Sequence, residues 1–258
     1  MRKKTLHQAA GLTWTMFARD PQRSSQVIDT NEYLIIAPDN VVMMDPGGTE
    51  IFPPVVAAVS EVIAVDRVKT FVCSHQDPDI MSSLPLWMGL CPGARVLMPW
   101  LWTGFVAHFG HEYAARFVPV PDEGTTIPLG GGLKDLVLVP AHYCHSSGNF
   151  SLYDPNARIL FTGDIGAALL PEGSEELVVA DFASHVKYME GFHRRWMPSN
   201  EAKNQWVARV RKLDVKTLCP QHGAVMEGPD VARFLDWLEG LQVGGALEAG
   251  RAAGASRR

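Results

Sequence analysis

The sequence predicts a single α/β domain of four layers, in which two mixed β-sheets pack face to face and helices cover both outer sides. Short β-type segments occur in two batches along the 258 residues, and each batch is followed by segments with helical patterning. We find no internal repeat and no linker long enough to divide the chain. Hydrophobic residues make up 47% and charged residues 20%, which is typical of a globular protein with a buried core.

The first batch lies in the amino-terminal half of the chain. It contains four segments rich in β-branched and aromatic residues, namely residues 33–37, 41–44, 69–73 and 94–98. An Asp-Asn turn joins the first two, so we expect them to form a hairpin. Two prolines at residues 53 and 54 open an apolar stretch, residues 55–65, that suits a helix. A second helix is expected at residues 101–113.

The second batch lies in the carboxy-terminal half. Its four expected strands are residues 133–139, 150–153, 159–162 and 217–219. A long helical region is expected at residues 182–213, with a break at Pro198, and a last helix at residues 231–241. We take residues 1–243 as one domain and the glycine-, alanine- and arginine-rich residues 244–258 as a flexible tail.

Composition excludes several classes of function. The formal charge of −5 argues against nucleic acid as a partner, because phosphate contacts need a basic surface. No apolar stretch approaches the roughly 20 residues that a bilayer-spanning helix needs, and the amino terminus does not read as a signal peptide. Four cysteines in a chain of this length are typical of reduced thiols rather than a disulfide framework. We therefore expect a cytoplasmic protein without a membrane partner.

The chemically informative residues lie where the expected strands end. They are three histidines and three aspartates, namely His75, Asp77, Asp79, His145, Asp164 and His222. Taken singly, an aspartate at a strand end is usually a turn or helix cap, and a loop histidine is usually an exposed side chain. Loops at strand ends commonly converge on a ligand site, however, and imidazole with carboxylate is a metal-binding combination.

The segment at residues 75–79, His-Gln-Asp-Pro-Asp, favours a metal site by its own spacing. Alternate residues of an extended segment share a side, so His75, Asp77 and Asp79 can all face one way. Pro78 biases the residue before it toward extended geometry, which keeps this spacing stiff. Two carboxylates so close together repel each other unless a cation lies between them.

The order of these elements resembles the metallo-β-lactamase superfamily, and within it the flavodiiron branch. That branch carries the pattern H-x-E-x-D-H, then a lone His, then a strand that ends in Asp, then a His-Gly pair. Residues 75–79 match the first, third and fifth positions of the opening motif. His145, Asp164 and His222 match the three later elements, and the similarity extends over roughly residues 30–240. The resemblance implies a four-layer αββα fold and a centre of two metal ions.

Two departures from the flavodiiron pattern bear on the chemistry. Asp77 stands where that branch has Glu, and Ile80 stands where it has a second-metal His. Zinc hydrolases of the superfamily mostly have His at both positions, so a carboxylate at residue 77 shifts the site toward iron or manganese. Ile80 cannot coordinate, which leaves the second metal with fewer protein ligands. We also expect no fused flavin domain, as in the single-domain oxygen-binding diiron proteins, some of which are associated with chemotaxis signalling.

The resemblance implies a non-haem diiron protein that binds O2 and either senses it or slowly reduces it. The implied ligands are His75, Asp77 and His145 for one iron, Asp79 and His222 for the other, and Asp164 as the bridge. Besides O2, its expected partners are a signalling protein or an external electron donor, and a second copy in a homodimer. The alternative is a zinc or manganese hydrolase that attacks an ester, thioester or phosphodiester with a metal-bound hydroxide. A metal-dependent interaction module is a third possibility.

Residues beside the implied ligands have less certain roles. Three cysteines flank them and are expected to pack as small apolar side chains, namely Cys73, Cys144 and Cys219. Cys73 shares a strand face with His75, so proximity to the metals is the alternative. His142 is not at a matched position, and its alternative role is to orient a ligand. His185 and His193 lie in the long helical region and are candidates for the mouth of the site.

Overall fold

The fold is described from a computed structural model, which covers residues 1–9, 11–18, 20, 28–105, 108 and 114–245. This part of the chain contains two mixed β-sheets, one of seven strands and one of six. Helices pack on the outer face of each sheet, so the expected four-layer α/β architecture is confirmed. Within the described residues, no helix is both long and apolar enough to cross a membrane.

The seven-stranded sheet contains the amino-terminal strands in chain order. They are β1 (Arg2–Ala9), β2 (Leu12–Ala18), β3 (Glu32–Ile36), β4 (Val41–Met44), β5 (Thr70–Val72), β6 (Arg95–Pro99) and β7 (Phe117–Val120). Strands β1 to β4 pair antiparallel, as the hairpin pattern predicts for β3 and β4. Strands β4 to β7 pair in parallel, so their carboxyl ends lie at the same edge of the sheet.

The six-stranded sheet contains the remaining strands. They are β8 (Thr126–Ile127), β9 (Leu136–Pro140), β10 (Phe150–Asp154), β11 (Ile159–Gly163), β12 (Thr217–Pro220) and β13 (Met226–Glu227). Among the pairings of these strands, only that of β11 with β12 is parallel. The carboxyl ends of these two strands therefore lie side by side, and each is followed by a residue with metal-binding chemistry.

Helices connect and cover the strands. In chain order they are α1 (Phe52–Ser60), a 3-10 turn (Val65–Arg67), α2 (Pro78–Met81), α3 (Leu84–Leu90), α4 (Trp100–Thr103), α5 (Phe182–Trp196), α6 (Asn200–Val210) and α7 (Pro229–Gly240). Prolines start α1 and α2, where their missing N–H costs nothing. The expected break at Pro198 is confirmed, because α6 starts anew after Ser199, whose side chain accepts a hydrogen bond from the amide of Ala202.

Three apolar layers hold the fold together. The layer between the two sheets contains Trp14, Tyr33 and Phe161. The second layer packs the six-stranded sheet against α5, α6 and α7, and the third packs the seven-stranded sheet against α1 and α3. Tyr33 also donates a hydrogen bond of 2.7 Å to the carbonyl of Pro220, which ties the two sheets together just before His222.

The structure contains several strands and one short helix that the sequence pattern did not predict. The chain begins with the β1–β2 hairpin, and β7, β8 and α3 were likewise not expected from the pattern. These elements give weak sequence signals, because β1 is rich in polar residues and β8 spans only two residues. Helix α4 covers only the start of the expected helix at residues 101–113, and residues 106, 107 and 109–113 lie outside the described part. The expected tail also lies outside it from residue 246 onward.

Candidate metal centre

Four loops at one end of the two sheets bring the six implied ligands together. His75 lies three residues after the end of β5, and Asp77 and Asp79 lie at the start of α2. The other three follow or precede strands of the six-stranded sheet, namely His145 between β9 and β10, Asp164 after β11, and His222 after β12. Parallel pairing sets the carboxyl ends of β11 and β12 beside each other, which explains why Asp164 and His222 meet.

Four of the six side chains form what we call the first lobe of the centre. His145 Nε2 lies 3.0 Å from Asp77 Oδ2, and His75 Nε2 lies 3.5 Å from the same oxygen. Asp164 closes the lobe, with Oδ2 at 3.4 Å from His145 Nε2. One ligand atom from each of these four residues lies within 4.8 Å of the others. The first lobe therefore offers two imidazole nitrogens and two carboxylate oxygens around one point.

The remaining two side chains form the second lobe, on the other side of Asp164. His222 Nε2 lies 3.4 Å from Asp79 Oδ2 and 3.3 Å from Asp164 Oδ1. Asp164 thus turns Oδ2 toward His145 of the first lobe and Oδ1 toward His222 of the second. A carboxylate shared in this way is the arrangement that a bridge between two cations requires.

The donor set fits two metal ions. Ligand atoms about 2.1 Å from a shared ion lie roughly 3.0 to 3.4 Å apart at octahedral or tetrahedral angles, close to most of the separations above. His75 Nε2 and Asp164 Oδ1 are buried and have no hydrogen-bond partner among the described residues. Buried polar atoms are almost always satisfied, so these two ligand atoms without a hydrogen-bond partner, one in each lobe, fit metal-binding positions.

The electrostatics of the metal-free centre are those of a compact ion cluster. Burial alone would lower the pKa of His75 and His222, but the charge of Asp164 raises each pKa to about 9. Burial would likewise raise the pKa of Asp164, but the charges of His222 and His75 hold it below its usual range. Without metal, protons on the imidazoles therefore take the place that cations would occupy.

Hydrogen bonds fix the direction of two of the three imidazoles. Ser74 donates its hydroxyl proton to Asp45 Oδ2 at 2.6 Å, so the Ser74 Oγ atom is left to accept a hydrogen bond from His75 Nδ1 at 2.9 Å. His222 Nδ1 donates to the carbonyl of Asp29 at 2.8 Å. Both rings therefore carry the proton on Nδ1 and present Nε2 to the centre, as metal-binding histidines do.

Asp45 is a site residue that the sequence analysis missed. It directly follows β4, and strand-end position was the signal that identified the other aspartates. It is buried and adopts a φ of 41°, and burial raises its pKa to about 7. Gly163 sits nearby at a φ of 57°, and a Cβ there would lie 2.9 Å from Ser74 Oγ. Only glycine allows β11 to approach Ser74 this closely.

Helix α5 covers the centre with aromatic side chains. The Phe192 ring stacks on His145 at 5.8 Å, and its centroid lies 6.4 Å from that of His222. Trp196 lies one turn further on, 5.4 Å from His145, and is 54% exposed. The sequence analysis placed His193 at the mouth of the site, but it is buried, donates to the Met189 carbonyl and accepts from the Gly166 amide.

The other flanking residues do not contact the implied ligands. His185, also expected at the mouth, is buried beside Glu176. His142 Nε2 bonds to the carbonyl of Asp122 at 2.7 Å. The three cysteines expected to pack as apolar side chains do so, each in a different apolar layer, namely Cys73, Cys144 and Cys219.

Solved structures of other proteins show which fold class the chain belongs to. The chain has a metallo-β-lactamase-like fold related to that of flavodiiron proteins. A structure of rubredoxin oxygen:oxidoreductase from Desulfovibrio gigas shares it with a TM-score of 0.78, at 15% identity, over 92% of this chain and 60% of that one. A structure of a flavo di-iron protein mutant from Thermotoga maritima has a TM-score of 0.76, at 18% identity, over 92% of this chain and 60% of that one. At such identities the likeness concerns the fold alone.

The family is narrower than the fold. A family model described as ODP family beta lactamase matches residues 28–223, and the chain belongs to this family. It is 38% identical to a structure described as the peroxy diiron species of the chemotaxis sensor ODP, over 95% of this chain and 97% of that one, with a TM-score of 0.83. A structure described as the apo state of chemotaxis sensor ODP from T. denticola is 39% identical, over 94% of this chain and 96% of that one, with a TM-score of 0.84. No curated protein matches the chain.

Proposed function

We propose that this protein binds two iron ions and uses them to bind O2, which it senses or slowly reduces. The observation that carries the proposal is the position of Asp164, whose two oxygens face opposite imidazoles across the two lobes. The mixture of three histidines and three carboxylates favours iron or manganese over zinc. The similarity to a protein described as a peroxy diiron chemotaxis sensor supports the same conclusion.

In this proposal, each lobe holds one iron. The ligands are His75, Asp77 and His145 in the first lobe, Asp79 and His222 in the second, and Asp164 in both. When bound there, two ferrous ions would supply the electrons that O2 accepts. Asp45, through Ser74, and the Asp29 carbonyl keep two imidazoles turned toward the metals. Phe192 excludes bulk water from above the rings on which it packs.

The biological setting follows as part of the proposal. We infer that the protein acts in the cytoplasm as a homodimer and passes its state to a signalling protein, with an external donor re-reducing the iron. All four cysteines are free and buried, which is compatible with a reducing compartment. The similarity to chemotaxis sensors supports a signalling partner.

Anaerobic reconstitution tests the proposal. We expect protein loaded with Fe(II) and freed of excess metal to retain two irons per chain, and to develop a visible absorption band when O2 is admitted. The variant His142→Ala is a matched control, because it removes a nearby imidazole that does not contact the ligands. It should behave like the wild type. Zinc retention without iron, together with hydrolysis of a thioester, lactone or phosphodiester, would instead support the metallohydrolase alternative.

A further inference from the structure

The side chain of Gln76 links two of the loops that carry the implied ligands. Its Nε2 donates to Asp77 Oδ1 at 2.9 Å, and its Oε1 accepts from Ser146 Oγ at 2.6 Å. Ser146 directly follows His145, so one amide joins the Asp77 loop to the His145 loop. We propose that Gln76, anchored by Ser146, is a positioning residue that limits Asp77 to one metal-facing oxygen. This inference rests on the proposed function.

The charge of Asp77 dictates the orientation of the amide. Asp77 Oδ2 lies 3.0 Å from His145 Nε2 and 3.5 Å from His75 Nε2, and a carboxyl group that binds a metal does so in its ionised form. An ionised carboxylate only accepts hydrogen bonds, and the Gln76 Oε1 atom cannot donate one. The amide must therefore turn Nε2 toward Asp77, which leaves Oε1 for the hydroxyl of Ser146.

This hydrogen bond divides the roles of the two oxygens of Asp77. Oδ1 is taken by Gln76, whereas Oδ2 lies 3.0 Å from His145 Nε2 and 3.5 Å from His75 Nε2. Rotation of the carboxylate to bring both oxygens to a metal would break the bond to Gln76. Asp77 has a shorter side chain than the Glu of the flavodiiron pattern. Gln76, the residue before it, holds this shorter side chain in one orientation.

The same link supports the least anchored imidazole. The Nδ1 atoms of His75 and His222 have hydrogen-bond partners, whereas Nδ1 of His145 is buried without one among the described residues. The backbone at His145 has a φ of 117°, which is costly for a residue with a Cβ. A hydrogen bond of 2.7 Å from the Tyr143 amide to the Ser146 carbonyl closes this turn. Through Ser146, Gln76 therefore holds the strained turn against the Asp77 loop.

Metal titration of four variants tests the proposal. Removing a hydrogen-bond partner of a ligand typically weakens metal binding about 10- to 100-fold, and we expect Gln76→Leu to weaken one of the two Fe(II) sites by such a factor. Ser146→Ala should have a smaller effect, and the double variant should bind no more weakly than Gln76→Leu alone. Gln76→Glu keeps the acceptor for Ser146 but sets a carboxylate against Asp77, so it should bind Fe(II) more weakly than Gln76→Leu at neutral pH. Gln205→Leu, at an exposed glutamine on α6, is the matched control.

The titration is repeated with Co(II), whose visible absorption reports the number and geometry of ligands without O2. Gln76→Leu should change the Co(II) spectrum, whereas a residue that only stabilises the fold would lower Tm and leave the spectrum unchanged. Wild-type affinity and spectrum in Gln76→Leu and Ser146→Ala would overturn this inference alone. A wild-type protein that binds no iron would overturn the proposed function. If Gln76→Leu does not fold, the Fe(II) affinity and the Co(II) spectrum of Ser146→Ala test the proposal instead.

Discussion

The two lobes of the metal centre differ in how many side chains each contributes and in how these are held. The first lobe draws three ligands of its own from two loops, and Gln76 and Ser146 link those loops. The second lobe draws only Asp79 and His222. Asp164 is common to both lobes. If the centre binds two irons as proposed, we therefore expect two unequal metal sites, with the tighter one at the first lobe.

Ile80 is the structural reason for the inequality. It follows Asp79 directly and stands where the flavodiiron pattern has a ligand, but its side chain is completely buried in the apolar layer beside α1 and α3. An aliphatic side chain in that layer contributes to packing and has no lone pair to donate. In the proposed centre, the second lobe would therefore have one protein ligand fewer than the flavodiiron pattern provides.

Replacing Asp164 should remove the difference between the lobes, because both lose a ligand. We expect Asp164→Asn to weaken both Fe(II) sites by more than the roughly 100-fold that loss of an outer hydrogen-bond partner costs. Without metal, the pKa values of His75 and His222 should fall, since the charge of Asp164 is what raises them. Iron titration and NMR measure the two effects, with Asp122→Asn as an exposed control. Retention of two irons by Asp164→Asn would show that it is not the bridge.

Replacing one imidazole at a time should reveal the difference directly. His222→Ala leaves Asp79 as the only ligand peculiar to the second lobe, so we expect this variant to keep one iron per chain. His75→Ala leaves Asp77 and His145 in the first lobe, so we expect weaker binding there rather than complete loss. Elemental analysis of both variants after anaerobic loading measures this. The idea of unequal lobes fails if the two variants lose the same amount of iron.

The pH dependence of stability should separate the metal-free from the loaded centre. A histidine whose folded pKa is raised from 6.5 to about 9 stabilises the fold below pH 6.5, and this contribution disappears as pH rises through 9. We therefore expect Tm of the metal-free protein to fall between pH 6.5 and 9. Loaded protein should show a smaller slope, because metal-bound nitrogens carry no proton. Thermal scans across this range check the sign, and a flat metal-free curve would contradict it.

Adding a ligand to the second lobe should reduce the difference in iron affinity between the two lobes. We expect this effect to be the smallest of the four predicted here. Ile80→His restores an imidazole at the flavodiiron position, and we expect tighter binding of the second iron. Placing a polar ring in an apolar layer should also cost about 1 to 3 kcal/mol of stability in the metal-free protein. Ile63→His, in the same layer, is the control that should lose stability without gaining affinity. Equal iron affinity in Ile80→His and wild type would mean that residue 80 does not face the second lobe.

The sequence by itself determined the fold class and the candidate ligands. Apolar runs and turn residues are local signals, so the central strands and the break at Pro198 were predictable from them. The spacing of His75, Asp77 and Asp79 is equally local, and the later ligands were found because each stands at a strand end. The edge strands β1 and β7 escaped prediction, because β1 is rich in polar residues and β7 is a four-residue segment that contains a proline.

Only the tertiary structure decided how those residues act together. Asp164 shares its oxygens between two lobes because parallel pairing of β11 and β12 sets it beside His222. The Asp45–Ser74–His75 chain, the link from Gln76 to Ser146, and the cover formed by Phe192 join loops and helices far apart in the chain. The burial of His193, expected at the mouth, depends on how α5 packs. Such contacts depend on the relative placement of whole elements, which no local pattern of residues encodes.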